Sequence, residues 1–172
     1  MAFDFNFHGI EDRTDLKELI DFLAYQDLGY PRYQEWVQRT EHELDSGYKK
    51  AILAFSERYL VADLIYQQHK EAACFLELKN LRIHPAFRLR GFGRFMLRQV
   101  EVEHAEQYEA IICDARANQS DTIKFLESCG YSPLITCPLY DQNTPEIVMI
   151  KSLNKDKKQF IIATALDFIK PN

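Results

Sequence analysis

Three arginines and two glycines fall within seven positions of this chain, in the run Arg88-Leu89-Arg90-Gly91-Phe92-Gly93-Arg94, and they are the residues best suited to chemistry. The chemistry is anion binding. Glycine has no Cβ, so at 91 and 93 the backbone can turn tightly and come within hydrogen-bond reach of a bulky phosphate. The apolar run ending at Ile83 predicts a strand leading into the turn, and Phe92, Met96 and Val100 recur at the spacing of a helix leaving it. The first N–H groups of such a helix have no intrahelical acceptor, and the aligned peptide dipoles place roughly half a positive charge there. A pyrophosphate fits that position. Arg88, Arg90 and Arg94 add full charges. The pattern R/Q-x-x-G-x-G alone arises by chance in about one chain in ten of this length, and an arginine-rich turn with ordinary glycine punctuation is the alternative. Other phosphate loops fit badly: no Lys-Ser/Thr follows the glycines, and Met96 stands where a dinucleotide fingerprint has its third glycine.

The elements that must position this turn are legible on either side. Phe3, Phe5 and Phe7 alternate with polar residues, the period of a half-buried strand. Leu16, Leu19, Ile20 and Leu23 mark a helix face that Asp12 or Thr14 can cap, and Gly29-Tyr30-Pro31 ends it. A second, more polar helix runs from about Tyr33 to Ser46-Gly47. Strands are predicted at Lys50 to Ser56 and Tyr59 to Gln67 around a Glu57-Arg58 turn, then at Ala72 to Ile83. The helix after the glycine turn is predicted to reach Gln107. Ala110 to Cys113 is a continuous apolar run, the mark of a strand buried on both sides, and leads into Asp114-Ala115-Arg116. Asn118-Gln119-Ser120 opens a short helix that Gly130 stops. Two strands follow, Tyr131 to Leu139 and Glu146 to Leu153, joined by Asp141-Gln142-Asn143-Thr144-Pro145. Lys155 to Lys170 reads as an amphipathic helix with Phe160, Ile161, Thr164 and Phe168 on one stripe.

The 172 residues suit one domain with a buried core. We read residues 1–153 as its body and 154–172 as an added helix of the same domain. The composition, 47% hydrophobic and 27% charged, is that of a folded globular protein. With a formal charge of −5, a broad electrostatic grip on nucleic acid is not expected, though local basic patches are open to the chain. Cys74, Cys113, Cys129 and Cys137 lack C-x-x-C spacing and read as core thiols, and the scattered histidines give no metal site. No basic n-region, signal-like apolar run or membrane-length segment is visible, and we expect a cytoplasmic protein.

With Ile83-His84-Pro85 preceding it as hydrophobic-x-Pro, the loop resembles the acetyl-CoA-binding motif of the GNAT superfamily of N-acetyltransferases. The resemblance implies an α/β (α+β) fold over residues 1–153: a mixed, largely antiparallel sheet with flanking helices and a parallel, splayed strand pair at the acetyl-CoA site. It implies acetyl-CoA as cosubstrate, with the pyrophosphate on Arg88, Leu89, Arg90, Gly91, Phe92, Gly93 and Arg94. Backbone groups of Leu81, Arg82 and Ile83 would meet the thioester and the pantetheine arm. Asn118 is placed like a family asparagine that contacts the cofactor arm, although a helix cap explains it as well. Glu77, eleven positions before Arg88, has the spacing of the strand-borne glutamate base of some lysine acetyltransferases, although an ion-paired strand glutamate, with Lys79 for instance, is as good a reading.

The chain departs from the pattern at Phe125-Leu126: many members carry a tyrosine where Leu126 stands, and it protonates the leaving thiolate. Tyr131, Tyr140 or a water could replace it, and the general acid stays unassigned. The activity implied is direct acetyl transfer to an amine, on a small molecule or a protein, with the acidic balance arguing against transfer RNA. A non-catalytic acetyl-CoA or CoA sensor with the same fold is the rival reading, and homodimerisation is left open.

Overall fold

The computed structural model describes residues 4–25 and 29–169, so Phe3 and Lys170 lie outside the described residues. The elements run β1 (Phe5–His8), α1 (Arg13–Tyr25), α2 (Tyr33–Asp45), β2 (Lys50–Ser56), β3 (Tyr59–Gln68), β4 (Phe75–Ile83), α3 (Phe92–His104), β5 (Ala110–Arg116), α4 (Ser120–Ser128), β6 (Ser132–Asp141), β7 (Thr144–Ser152) and α5 (Lys158–Phe168). This is the order expected from the sequence, and it is the order that the resemblance implies. The strands form a seven-stranded sheet in the order β1-β2-β3-β4-β5-β7-β6. Of the pairings described, only β4 with β5 is parallel.

The described residues fall into two compact units, one within Met1–Gln67 and Lys79–Met96, the other within Gln68–Leu78 and Leu97–Asn172. In the first, Asp12 rather than Thr14 caps α1: its Oδ1 accepts from the amides of Thr14 at 2.7 Å and Asp15 at 3.0 Å. Those bonds hold the Asp12 carboxyl below the usual range. Leu16, Leu19 and Leu23 then bury one face of α1 against Tyr33, Val37 and Leu44 of α2 and Leu53, Phe55 and Ile65 of β2 and β3. Each fully buried leucine of this kind contributes about 1.5 to 3 kcal/mol.

In the second unit β4 begins at Phe75, three positions later than expected, because the Phe75 amide turns back to the Ala72 carbonyl at 2.9 Å. Ala72 and Phe75 pack with Ala110, Ile112 and Ile150 against Ile161 and Ala165 of α5. The stripe expected on α5 is therefore rotated: Phe160 is 65% exposed, and Ile161 and Ala165 face inward. Gly130 ends α4 as expected, with φ +91° and two back-bonds, Gly130 N–H to Glu127 O and Tyr131 N–H to Leu126 O. The edge strand β6 carries Pro133 and Pro138 and two breaks in register, features that suit a position with only one ladder to satisfy.

Candidate functional site

The glycine turn lies wholly in the first unit. β4 ends at Ile83, and the His84 side chain accepts from the Ala86 amide at 3.3 Å to cap a 3-10 turn, Pro85–Phe87. Arg88 folds back, its Nε donating to the Ile83 carbonyl at 3.3 Å, and the Arg90 guanidinium lies 5.2 Å from the Phe87 ring centre. Phe87 in turn meets Phe92 edge-on, and Phe92 also contacts the rings of Phe5 and Phe7. The loop is thus pegged at both ends by aromatic packing. Its middle is strained: Leu89 has φ +61° and is fully exposed at 105%. A leucine in the left-handed region costs about 1 to 2 kcal/mol. Gly91 has φ +88°, and a Cβ added there would meet nothing within 4 Å, so the backbone angle and not crowding calls for glycine. The same open side is where a phosphate can approach.

The Phe95 amide bonds the Gly91 carbonyl at 3.0 Å, which makes Gly91 the residue that opens α3. The amides of Phe92, Gly93 and Arg94 therefore have no acceptor four residues back in the helix, the arrangement that favours an anion. Gly93 is buried in the first turn of α3, whereas Gly91 is exposed. Arg82 is buried with its guanidinium turned away from the loop: NH1 donates to Leu23 O at 3.2 Å and NH2 to Tyr33 OH at 2.8 Å. Only its backbone is left to meet a cosubstrate.

Glu77 and Asn118 belong to the second unit. Glu77 is half-buried and stands in register with Ile112, and the parallel ladder of Phe75–Glu77 with Ala110–Ile112 ends there although both strands run on. Asn118 is exposed in the turn before α4. The capping position is Gln119, without a side-chain bond, so the cap reading of Asn118 falls. Asp114, two positions beyond Ile112 on β5, accepts from the Tyr140 hydroxyl at 3.1 Å. Leu126 is buried and packs. Tyr131 is buried with a hydroxyl that has no partner among the described residues, and burial pushes its phenol far above the usual range. Of the two tyrosines considered as acids, only Tyr140 is exposed. The four cysteines are free thiols, and burial raises Cys113 and Cys137, as suits core residues.

Residues 14–131 match the model of the Acetyltransferase (GNAT) family. The chain belongs to the GNAT acetyltransferase family. Its cosubstrate is acetyl-CoA. No protein of curated function matches the chain. Among solved structures, the GNAT protein described here is similar to the ribosomal-protein-S18-alanine N-acetyltransferase from Escherichia coli, with 17% identity, TM-score 0.67, and 88% of this chain and 95% of that chain covered. It is likewise similar to an aminoglycoside 6'-N-acetyltransferase complexed with coenzyme A, with 16% identity, TM-score 0.69, and 88% and 97% covered. A third is spermidine/spermine N-acetyltransferase from Vibrio cholerae, with 11% identity, TM-score 0.66, and 90% and 96% covered. No helix among the described residues is long and apolar enough to cross a membrane.

Sequence reasoning missed one group in this GNAT chain. Asp63, in the middle of β3, is fully buried, and Asn80 of β4 donates to its Oδ2 at 2.6 Å. Burial pushes the Asp63 carboxyl up to about 7, against the opposing pull of the Asn80 bond and the Arg82 charge. The signal was present as a lone aspartate inside the apolar run Val61-Ala62-Asp63-Leu64-Ile65.

Proposed function

We propose that this GNAT protein is an N-acetyltransferase that moves the acetyl group of acetyl-CoA directly to a primary amine. The observation that carries the proposal is the turn from Arg88 to Arg94, where left-handed Leu89 and Gly91 lead into the first turn of α3, whose amides precede the first intrahelical bond, Phe95 N–H to Gly91 O. Those amides, with Arg88, Arg90 and Arg94, would hold the pyrophosphate. Bound acetyl-CoA supplies an activated thioester. The backbone of Leu81, Arg82 and Ile83 would align the pantetheine arm as an added strand and donate an N–H to the oxygen on which charge builds. Asn118 would contact the arm.

The amine nitrogen gives its lone pair to the thioester carbon, the C–S bond breaks, and the sulfur leaves with its electron pair as the thiolate of CoA, which takes a proton from water. The amine's surplus proton goes to a base, for which Glu77 is the candidate, directly or through water. A lysine-like amine has a pKa of about 10.4, so supplying its neutral form at pH 7 costs roughly 4.6 kcal/mol, which is the work the base relieves. A thiol pKa near 8.5 makes the thiolate a tolerable leaving group, at roughly 2 kcal/mol, and no acid is assigned. Both small-molecule and protein amines fit the reading. The amine acceptors in the names of the three similar structures support an amine without choosing its kind.

The rival is a non-catalytic CoA sensor, which the buried Leu126 favours by leaving no phenol at that position of α4. Incubation with isotopically labelled acetyl-CoA and a cell extract, followed by mass spectrometry of proteins and metabolites, separates the two. Enzyme-dependent label on an amine is expected, and a CoA-induced thermal shift with no labelled amine assigns the sensor.

A further inference from the structure

We propose that Asn80 receives an N–H of the acceptor amine and that the buried Asp63 aims it, an inference that rests on the amine-transfer reading above. Asp63 is wholly buried on β3, opposite Leu53 of β2 in the ladder, where an apolar side chain would pack without cost. Burying a carboxylate costs several kcal/mol, and replacing such charges with apolar residues is often neutral or stabilising. Its Oδ1 has no partner among the described residues. What its Oδ2 does is hold the Asn80 amide at 2.6 Å. The Asn80 Nδ2 is the donor in that bond, and above about pH 7, where Asp63 is ionised and only accepts, the Asn80 carbonyl oxygen is left as an acceptor on the other side.

Asn80 is half-buried, so that oxygen can be reached, and it stands immediately before the Leu81 to Ile83 backbone assigned above to the thioester. An amine fits this acceptor. A primary amine that places one N–H on the Asn80 oxygen keeps its lone pair free for attack, and an ammonium, which only donates, suits the same oxygen and is drawn further once Asp63 ionises above about pH 7. The recognised class is therefore a primary alkylamine that arrives as its cation. Arg82, two positions on, holds the α1 and α2 ends through Leu23 and Tyr33 and fixes the same strand from below. Asn80 touches substrate in this scheme. Asp63 is a positioning residue.

The test uses the full-length protein with Nα-acetyl-lysine amide, an alanine-initiated tetrapeptide and spermidine as probe acceptors, and reads the one acetylated best. In Asn80→Ala and Asn80→Ser the KM for that amine should rise about tenfold or more, the loss of a hydrogen bond to a charged group. The CoA-induced thermal shift should stay as in the wild type. Asp63→Asn should raise KM in the same direction by less, and adding it to Asn80→Ala should cost nothing further, because it acts only through Asn80. A KM within about twofold of wild type in both Asn80 variants overturns the assignment, as does full additivity of the double variant. A wild-type protein that binds CoA and acetylates none of the probes overturns the amine-transfer reading and this inference with it.

Discussion

Asp63 ties a single carboxyl to the stability of the fold. Its native pKa is raised to about 7 by burial, whereas an unfolded aspartate titrates near 3.9. Between these values the native state holds a proton that the unfolded chain lacks, so unfolding free energy falls as pH rises from about 4 to about 7, by up to about 1.4 kcal/mol per unit. Above pH 7 the effect levels off. Urea unfolding of the wild type and Asp63→Asn across pH 4.5 to 8.5 should show the slope in the first and its loss in the second; parallel curves would refute it. Glu77 belongs to the same scale. If it is the base, Glu77→Gln keeps the strand and lowers turnover at pH 7 by about 10² to 10⁴, with recovery at high pH as neutral amine becomes abundant. Cofactor binding should persist. Wild-type turnover at pH 7 in that variant would move the search to Asp114, which already holds the Tyr140 hydroxyl.

The loop before α3 and the end of α4 show what glycine does for an element. Gly91→Ala meets open space yet must hold φ +88°, so it should cost about 1 to 2 kcal/mol in the free protein or shift the loop. Either outcome weakens the anion site. Ligand at about a hundred times its Kd stabilises the wild type by about 2.7 kcal/mol, and differential scanning fluorimetry with CoA should find that shift reduced in Gly91→Ala. An undiminished shift would place the pyrophosphate elsewhere. Gly93→Val is a poorer probe, since Gly93 is buried in the helix and its loss would confuse folding with binding. Leu126→Tyr suffers the same confusion, because Leu126 is a packing residue and its carbonyl accepts the Tyr131 amide that closes α4.

Across the molecule, ion pairs bind elements far apart in the chain. Lys151 of β7 donates to Glu101 of α3 at 2.6 Å and to the Cys129 carbonyl at the end of α4 at 2.7 Å, with Glu101 almost wholly buried. Lys151→Ala leaves the buried Glu101 with Arg98, 3.2 Å from its Oε2, as its remaining cationic partner and should lower stability by about 1.5 to 3 kcal/mol, the worth of a hydrogen bond to a charged group, read as a drop in denaturation midpoint. A loss under about 1 kcal/mol would show the pair to be solvated. The amino-acid sequence by itself determined the element order, the α1 cap near Asp12, the glycine stop at Gly130 and the arginine-glycine turn, because periodicity, capping and turn chemistry act over a few neighbouring residues. Only the tertiary structure decided that Arg82 turns inward to Leu23 across 59 positions, and that Asp63 and Asn80 meet across 17. It also decided that Tyr131 is sealed from solvent and that the β4–β5 ladder pairs Phe75–Glu77 with Ala110–Ile112. Those outcomes depend on which strands become neighbours and which faces are covered, and no local pattern of residues carries that information.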